Sequence, residues 1–127
     1  MPHTRDEHSC VVHNECMLVF GGFAFGERSN SIFKYNFRMN TWEKINHKSK
    51  AAPCPRAGHS AIIRKTDNDD FMYIFGGKDD ENNKLNDIWR FSFTSNTWSE
   101  ISKGLSSFFF DSKTIFILLF CILTFNY

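Results

Sequence analysis

Cysteine is scarce in this chain, four residues in 127, and Cys10, Cys16, Cys54 and Cys121 form no C-x-x-C pair and no regular framework. Such spacing excludes a disulfide scaffold, so the thiols read as reduced and the compartment as intracellular, the cytoplasm. No secretory leader opens the sequence, which fits the same compartment. An excess of one charge is missing too: 15 Lys and Arg stand against 14 Asp and Glu, and the basic residues are spread evenly. Without a basic stripe there is no electrostatic footprint for nucleic acid. Neither half of the chain carries apolar residues at helical spacing. What is abundant is the aromatic ring, with 15 Phe, 3 Trp and 3 Tyr in a chain long enough for one ordinary domain.

Two stretches repeat each other. The first reads Arg5-x-x-His8-Ser9, then MLVFGG ending at Gly22, IFKY from Ile32, and Asn40-Thr41-Trp42. The second reads Arg56-x-x-His59-Ser60, then MYIFGG ending at Gly77, IWRF from Ile88, and Asn96-Thr97-Trp98. The offset is 51 at the histidines, 55 at the double glycines and 56 at the tryptophans. An offset that grows only between shared segments puts the insertions in loops and keeps the strands in register. Short apolar runs predict strands over 10–12 and 17–20, period-two alternation predicts one over 32–37, and an outer strand follows over 42–45; the cycle restarts in the second repeat over 61–63, 71–75, 87–93 and 98–101. Residues 23–30 and 78–84 read as loops, with each glycine pair ending a strand.

The repeated residues have physical reasons. Two consecutive glycines permit positive φ and let a neighbouring backbone approach where a Cβ would clash. Trp42 and Trp98 offer rings that pack between adjacent sheets while the indole N–H finds a backbone acceptor. His8-Ser9 and His59-Ser60 open the innermost strands, where their side chains satisfy backbone groups that a short edge leaves unpaired.

A repeat of about 50 residues with a double glycine and a downstream Trp resembles the kelch repeat. The resemblance implies an all-β fold: two four-stranded antiparallel blades of a partial β-propeller. The first repeat spans 5–46, a linker 47–55, the second repeat 56–103, and an apolar tail 104–127. The structural signature is His8, Ser9, Gly21, Gly22 and Trp42, then His59, Ser60, Gly76, Gly77 and Trp98. Kelch proteins close rings of five to seven blades, and a stack of fewer than about three leaves large apolar faces uncovered. The chain is therefore expected to be a fragment or truncated product of a larger propeller, its open faces covered by other blades or by self-association. The implied role is a non-catalytic scaffold module that binds a protein or peptide, with no cofactor and no metal. The loops on one face would carry Phe23, Phe25, Glu27 and Arg28, joined by Lys78, Asp79, Asp80, Glu81 and Lys84. Exposed rings beside an arginine are typical hot-spot chemistry.

The tail admits three readings. Residues 115–125 are free of charge, but eleven residues at 1.5 Å each fall short of a hydrocarbon core of about 30 Å. Extending upstream brings Asp111 and Lys113 to membrane depth, so a membrane tether is the alternative and not the preferred reading. With a constant offset of 98, residues 107–118 overlay the first two strands of the first repeat, a degenerate third-repeat start lacking the His and the double glycine. Read-through past an exon end is the third.

Other chemistry finds little support. A copper radical oxidase resembling galactose oxidase needs two Tyr, two His and a Cys on one metal, yet Tyr35 and Tyr73 lie inside predicted strands. His8, Cys10, His13 and Cys16 suggest a metal site only by proximity, with His13 assigned to a turn. The turns 67–70 and 79–81 lack the glycine and closing Glu of a calcium loop. No helix follows either double glycine, so neither is a phosphate loop.

Overall fold

The computed structural model describes residues 1–102, and these form ten strands and no helix. The readings of the tail lie outside the described residues. In the first repeat β1 (Ser9–His13), β2 (Cys16–Phe20), β5 (Ile32–Asn36) and β6 (Thr41–Ile45) form an antiparallel sheet in that order. In the second, β7 (Ser60–Lys65), β8 (Asp70–Lys78), β9 (Lys84–Ser92) and β10 (Thr97–Ser102) do the same. These are the two expected blades. Asn14, Asn40 and Asn96 turn hairpins at φ 53°, 53° and 60°, a left-handed conformation that Asn tolerates better than most residues. Hence the Asn that precedes Thr-Trp in both repeats.

Side chains alternate between faces along a strand, so each blade has two apolar faces to cover. Leu18, Phe20 and Ile32 of the first sheet, each at most 1% exposed, pack against Met72, Ile74, Trp89, Phe91 and Trp98 of the second. Burying an aromatic or aliphatic side chain of this kind contributes roughly 1.5–3 kcal/mol, so this shared face is the main store of stability. Trp98 sits 5.2 Å from both Phe20 and Phe91, centroid to centroid, wedged between the blades. Its indole N–H is buried and has no partner among the described residues, contrary to the expected backbone acceptor. Trp42 does not lie between these blades: it rests half-buried on Tyr35, on the face of the first sheet turned away from the second.

Several boundaries differ from expectation, most of all beyond the double glycines. The loop 23–30 contains a ribbon, β3 (Phe23–Ala24) paired with β4 (Glu27–Arg28). In the second repeat the double glycine does not end a strand. β8 continues through Gly76 and Gly77, absorbs a bulge between Phe75 and Gly77, and pairs Lys78 with Lys84. β9 accordingly begins three residues before the expected Asp87. The reason is a five-residue turn held from inside. Asp79 Oδ1 accepts from the backbone N–H of Glu81 and Asn83, and the Asn83 side-chain amide donates to Oδ2. Such an Asx-type cap lets a glycine-weakened ladder run on.

The glycines are required for contact as well as for their positive φ. A Cβ at Gly77 (φ 92°) would lie 2.6 Å from the Ala57 carbonyl oxygen. At Gly22 it would lie 2.8 Å from the Asp6 oxygen, the same approach one repeat earlier. Gly26 (φ 85°) has open space around it. Gly77→Ala is therefore expected to lower stability by about 2–4 kcal/mol in denaturant unfolding, and Gly26→Ala by only about 1 kcal/mol. Equal losses would show that the approach of Ala57 places no demand on Gly77.

Candidate functional site

The two blades are joined by a lead-in segment, residues 56–59, that runs beside the first double glycine. Arg56 N–H donates to the Ser29 carbonyl at 3.0 Å, and Gly22 N–H donates to the Arg56 carbonyl at 2.9 Å. From this segment two side chains turn inward. Arg56 is fully buried and grips Asp87 bidentately, at 2.6 and 2.8 Å, while also donating to the Gly76 carbonyl. Trp89 Nε1 donates to the same carboxylate at 2.8 Å. Burial pushes the Asp87 carboxyl up, but the hydrogen bonds and charge of Arg56 outweigh it and hold it below the usual range. Removing either partner would strand a buried charge.

His59 is the other inward group, 8% exposed, with Nε2 at 2.8 Å from Ser9 Oγ of the first blade. It reaches across to a side chain of the first blade, and its ring also meets the Phe20 backbone there. No hydrogen bond reaches its buried Nδ1 among the described residues. Burial, then the charges of Arg56 and His8, depress its pKa to about 4. At the far rim His13 Nε2 meets Asp70 Oδ2 at 2.7 Å, its ring stacked on Phe93. His13 is thus the last residue of β1 and not part of the turn.

On this frame the candidate loop face is assembled. The ribbon turns at Phe25-Gly26 with φ of 55° and 85°, a type I′ geometry that ordinarily selects Asn-Gly. Phe25 is 80% exposed, touched edge-on by His3. Phe23 is 39% exposed, with the Arg28 guanidinium 5.7 Å from its ring centroid. Arg28 ties the ribbon to the second blade: its backbone N–H donates to Asp80 Oδ1 at 2.8 Å, and Nη2 donates to Asn82 Oδ1 at 2.7 Å. Phe23, Gly26, Glu27, Arg28, Asp80 and Asn82 line an open pocket of about 540 Å³ between ribbon and hairpin.

Of the residues expected on this face, Phe23, Glu27, Arg28 and Asp80 come together at the pocket, and Phe25 stands at its rim. Asp79 faces inward and caps its own turn; Asn83 is the first cause of its lowered pKa. Glu81 accepts from the Asn83 amide, and Lys78 and Lys84 pair across the hairpin base. Asn82 was not anticipated: its role depends on Arg28, 54 positions away. Gly26 did carry a signal, since Phe-Gly stands where a hairpin turn favours Asn-Gly. Among the described residues no three His, Cys, Asp or Glu gather closely enough to hold a metal. Tyr35 and Tyr73 lie on opposite outer faces of the blade pair, so both sheets separate them.

Two sequential four-stranded antiparallel blades, packed face to face and joined at their inner edge, define a segment of a β-propeller. The family described as the KLHDC2/KLHL20/DRC7 Kelch-repeats domain matches residues 1–108. The chain belongs to the kelch-repeat family. It is 33% identical to the Leucine-zipper-like transcriptional regulator 1 homolog of Drosophila melanogaster, over 80% of this chain and 11% of that protein. It is 29% identical to Kelch domain-containing protein 1 of Mus musculus, over 79% of this chain and 24% of that protein. Tip elongation aberrant protein 3 of Schizosaccharomyces pombe is 34% identical over 68% of this chain and 8% of its own length. The chain thus spans between 8% and 24% of the length of these relatives.

His59 makes the junction sensitive to acid. In the fold it stays neutral down to about pH 4, whereas in the unfolded chain it takes a proton near 6.5. The unfolded state therefore binds more protons within that window, and stability falls as pH falls. Its contribution is intact above pH 6.5 and lost progressively towards pH 4, on the order of 3 kcal/mol for a depression of this size. Unfolding free energy measured across this range should slope in the native chain and be flatter in His59→Gln. An equal slope in both would place the acid sensitivity elsewhere.

Proposed function

We propose that this chain is a non-catalytic protein-interaction module that holds a protein or peptide partner on the face built by the β3–β4 ribbon and the 79–83 hairpin. Kelch blades serve as scaffolds for such contacts, and here the observation that carries the reading is Phe25. A bulky residue in the left-handed region costs roughly 1–2 kcal/mol against a residue suited to it. Phe25 bears that strain while 80% exposed, so neither backbone preference nor burial accounts for the ring. An aromatic held out beside an arginine-capped pocket is the anchor expected of a binding hot spot.

The pocket floor suits recognition more than reaction. Arg28 is already committed to Asn82 and to the Phe23 ring, and no nucleophile and base converge there. Free thiols at Cys10, Cys16 and Cys54 fit a reducing, intracellular setting for the module. Since the chain spans a small share of its relatives, the reading includes a role as one part of a larger propeller, whose other blades cover the outer faces. No described helix is long and apolar enough to cross a membrane, and the segment 115–125 that would form a tether lies outside the described residues.

The test separates stability from binding. Phe25→Asn suits the turn and is expected to raise stability by about 0.5–1 kcal/mol. Peptides selected on the native chain from a displayed library should lose at least about tenfold in affinity for the same variant. Selected peptides that bind Phe25→Asn as tightly as the native chain would overturn the assignment of this face.

A further inference from the structure

The two repeats treat their leading arginine differently. Arg56 and Arg5 occupy the same place in the repeat, and the first part of their bonding is identical. Arg56 Nε donates to the carbonyl of Cys54, two residues back, and Nη1 donates to the carbonyl of Gly76. Arg5 Nε donates to the carbonyl of His3, two residues back, and Nη1 donates to the carbonyl of Gly21. The guanidinium is therefore delivered in the same pose in both blades. In the second blade the remaining edge is filled by the Asp87 carboxylate, through one bond to each terminal nitrogen.

The first blade has no such acid. Strand register fixes the counterpart: Ile88 pairs with Phe75 as Ile32 pairs with Phe20, so Ser31 stands where Asp87 stands. A serine hydroxyl is too short and carries no charge to occupy a fork built for two oxygens. Arg5 rests 5.1 Å from the ring centroid of Phe33, the counterpart of Trp89, which covers one face of the guanidinium and leaves its edge open. No ion pair to Arg5 forms among the described residues. Burial lowers the Arg5 pKa with nothing to oppose it, whereas Asp87 reverses the same effect at Arg56. Arg56 is completely enclosed, but Arg5 is half-exposed and reachable from outside.

We propose that Arg5, with Ser31 and Phe33, forms a berth for a carboxylate from outside the described chain: an Asp or Glu side chain on a protein surface laid against the first blade. The chain supplies its own precedent, because the same guanidinium pose in the second blade takes a carboxylate bidentately. A phosphate would fit the charge, but the two-oxygen, planar match seen at Asp87 favours a carboxylate. The Phe33 ring against the guanidinium favours an acid set beside an apolar side chain. This site lies on the outer face of the first blade and is independent of the loop face.

The experiment follows the Arg5 side-chain Nε–H signal by NMR in the full chain. The probe is N-acetylaspartate N-methylamide, titrated at constant ionic strength; the comparison is its neutral asparagine analogue. A saturable shift with the acid alone is expected, and an equal response to both overturns the berth. Ser31→Asp should fill the site internally. It is expected to move the Arg5 signal towards that of Arg56 without any probe, to abolish the titration, and to raise the thermal midpoint by about 4 °C. Ser31→Asn should do none of these. An Arg5 signal unchanged by Ser31→Asp would likewise sink the proposal, and inorganic phosphate shifting the signal as strongly as the acid would refute carboxylate selectivity.

Discussion

The two blades can meet only because the lead-in to the second runs within hydrogen-bonding distance of the double glycine of the first. Gly22 donates to the Arg56 carbonyl, and a Cβ at Gly21 would stand 2.8 Å from the same oxygen and 2.7 Å from the His59 ring. Any side chain at Gly21 would push that segment outward. Arg56 would then be withdrawn from Asp87, and His59 from Ser9. The apolar faces that share Phe20 and Trp98 would separate by the same displacement, and packing falls off steeply with such gaps. The loop face depends on the same contact, since Arg28 must reach Asp80 and Asn82 of the neighbouring blade.

Equivalent residues do unequal work in the two repeats, and neighbours are the reason. Trp98 is 4% exposed because Phe20 covers it, whereas Trp42 occupies the same place on a face that no described blade covers. Arg56 has a carboxylate and Arg5 does not. A blade is thus a unit with a donor face and an acceptor face. Its energetics are set as much by the adjacent blade as by its own strands, as expected of repeat architectures.

Most of the architecture was legible because its signals are local. Apolar runs such as MLVF and MYIF mark strands, alternation marks IFKYNF, and Asn before Thr-Trp marks a turn, which the structure places at positive φ. The errors fall where local signals are overruled. Gly76-Gly77 reads as a strand end, yet the Asp79 cap beyond it holds the ladder together. The indole of Trp98 reads as a donor seeking an acceptor, yet ring packing between sheets leaves it none among the described residues. At the candidate site, Phe25 and Arg28 were visible as types of residue. Asn82 and the inward turn of Asp79 were not, because each is defined by a partner chosen in three dimensions.

By itself the sequence determined the blade: its period, its strands, its glycine pairs and the family to which it belongs. These follow from alternation, chain stiffness and steric limits that act over a few residues. Only the tertiary structure decided which tryptophan is enclosed, which arginine finds an acid, and which loop residues line one pocket. Those outcomes depend on what the neighbouring sheet places opposite each side chain, and no spacing along the chain encodes that distance.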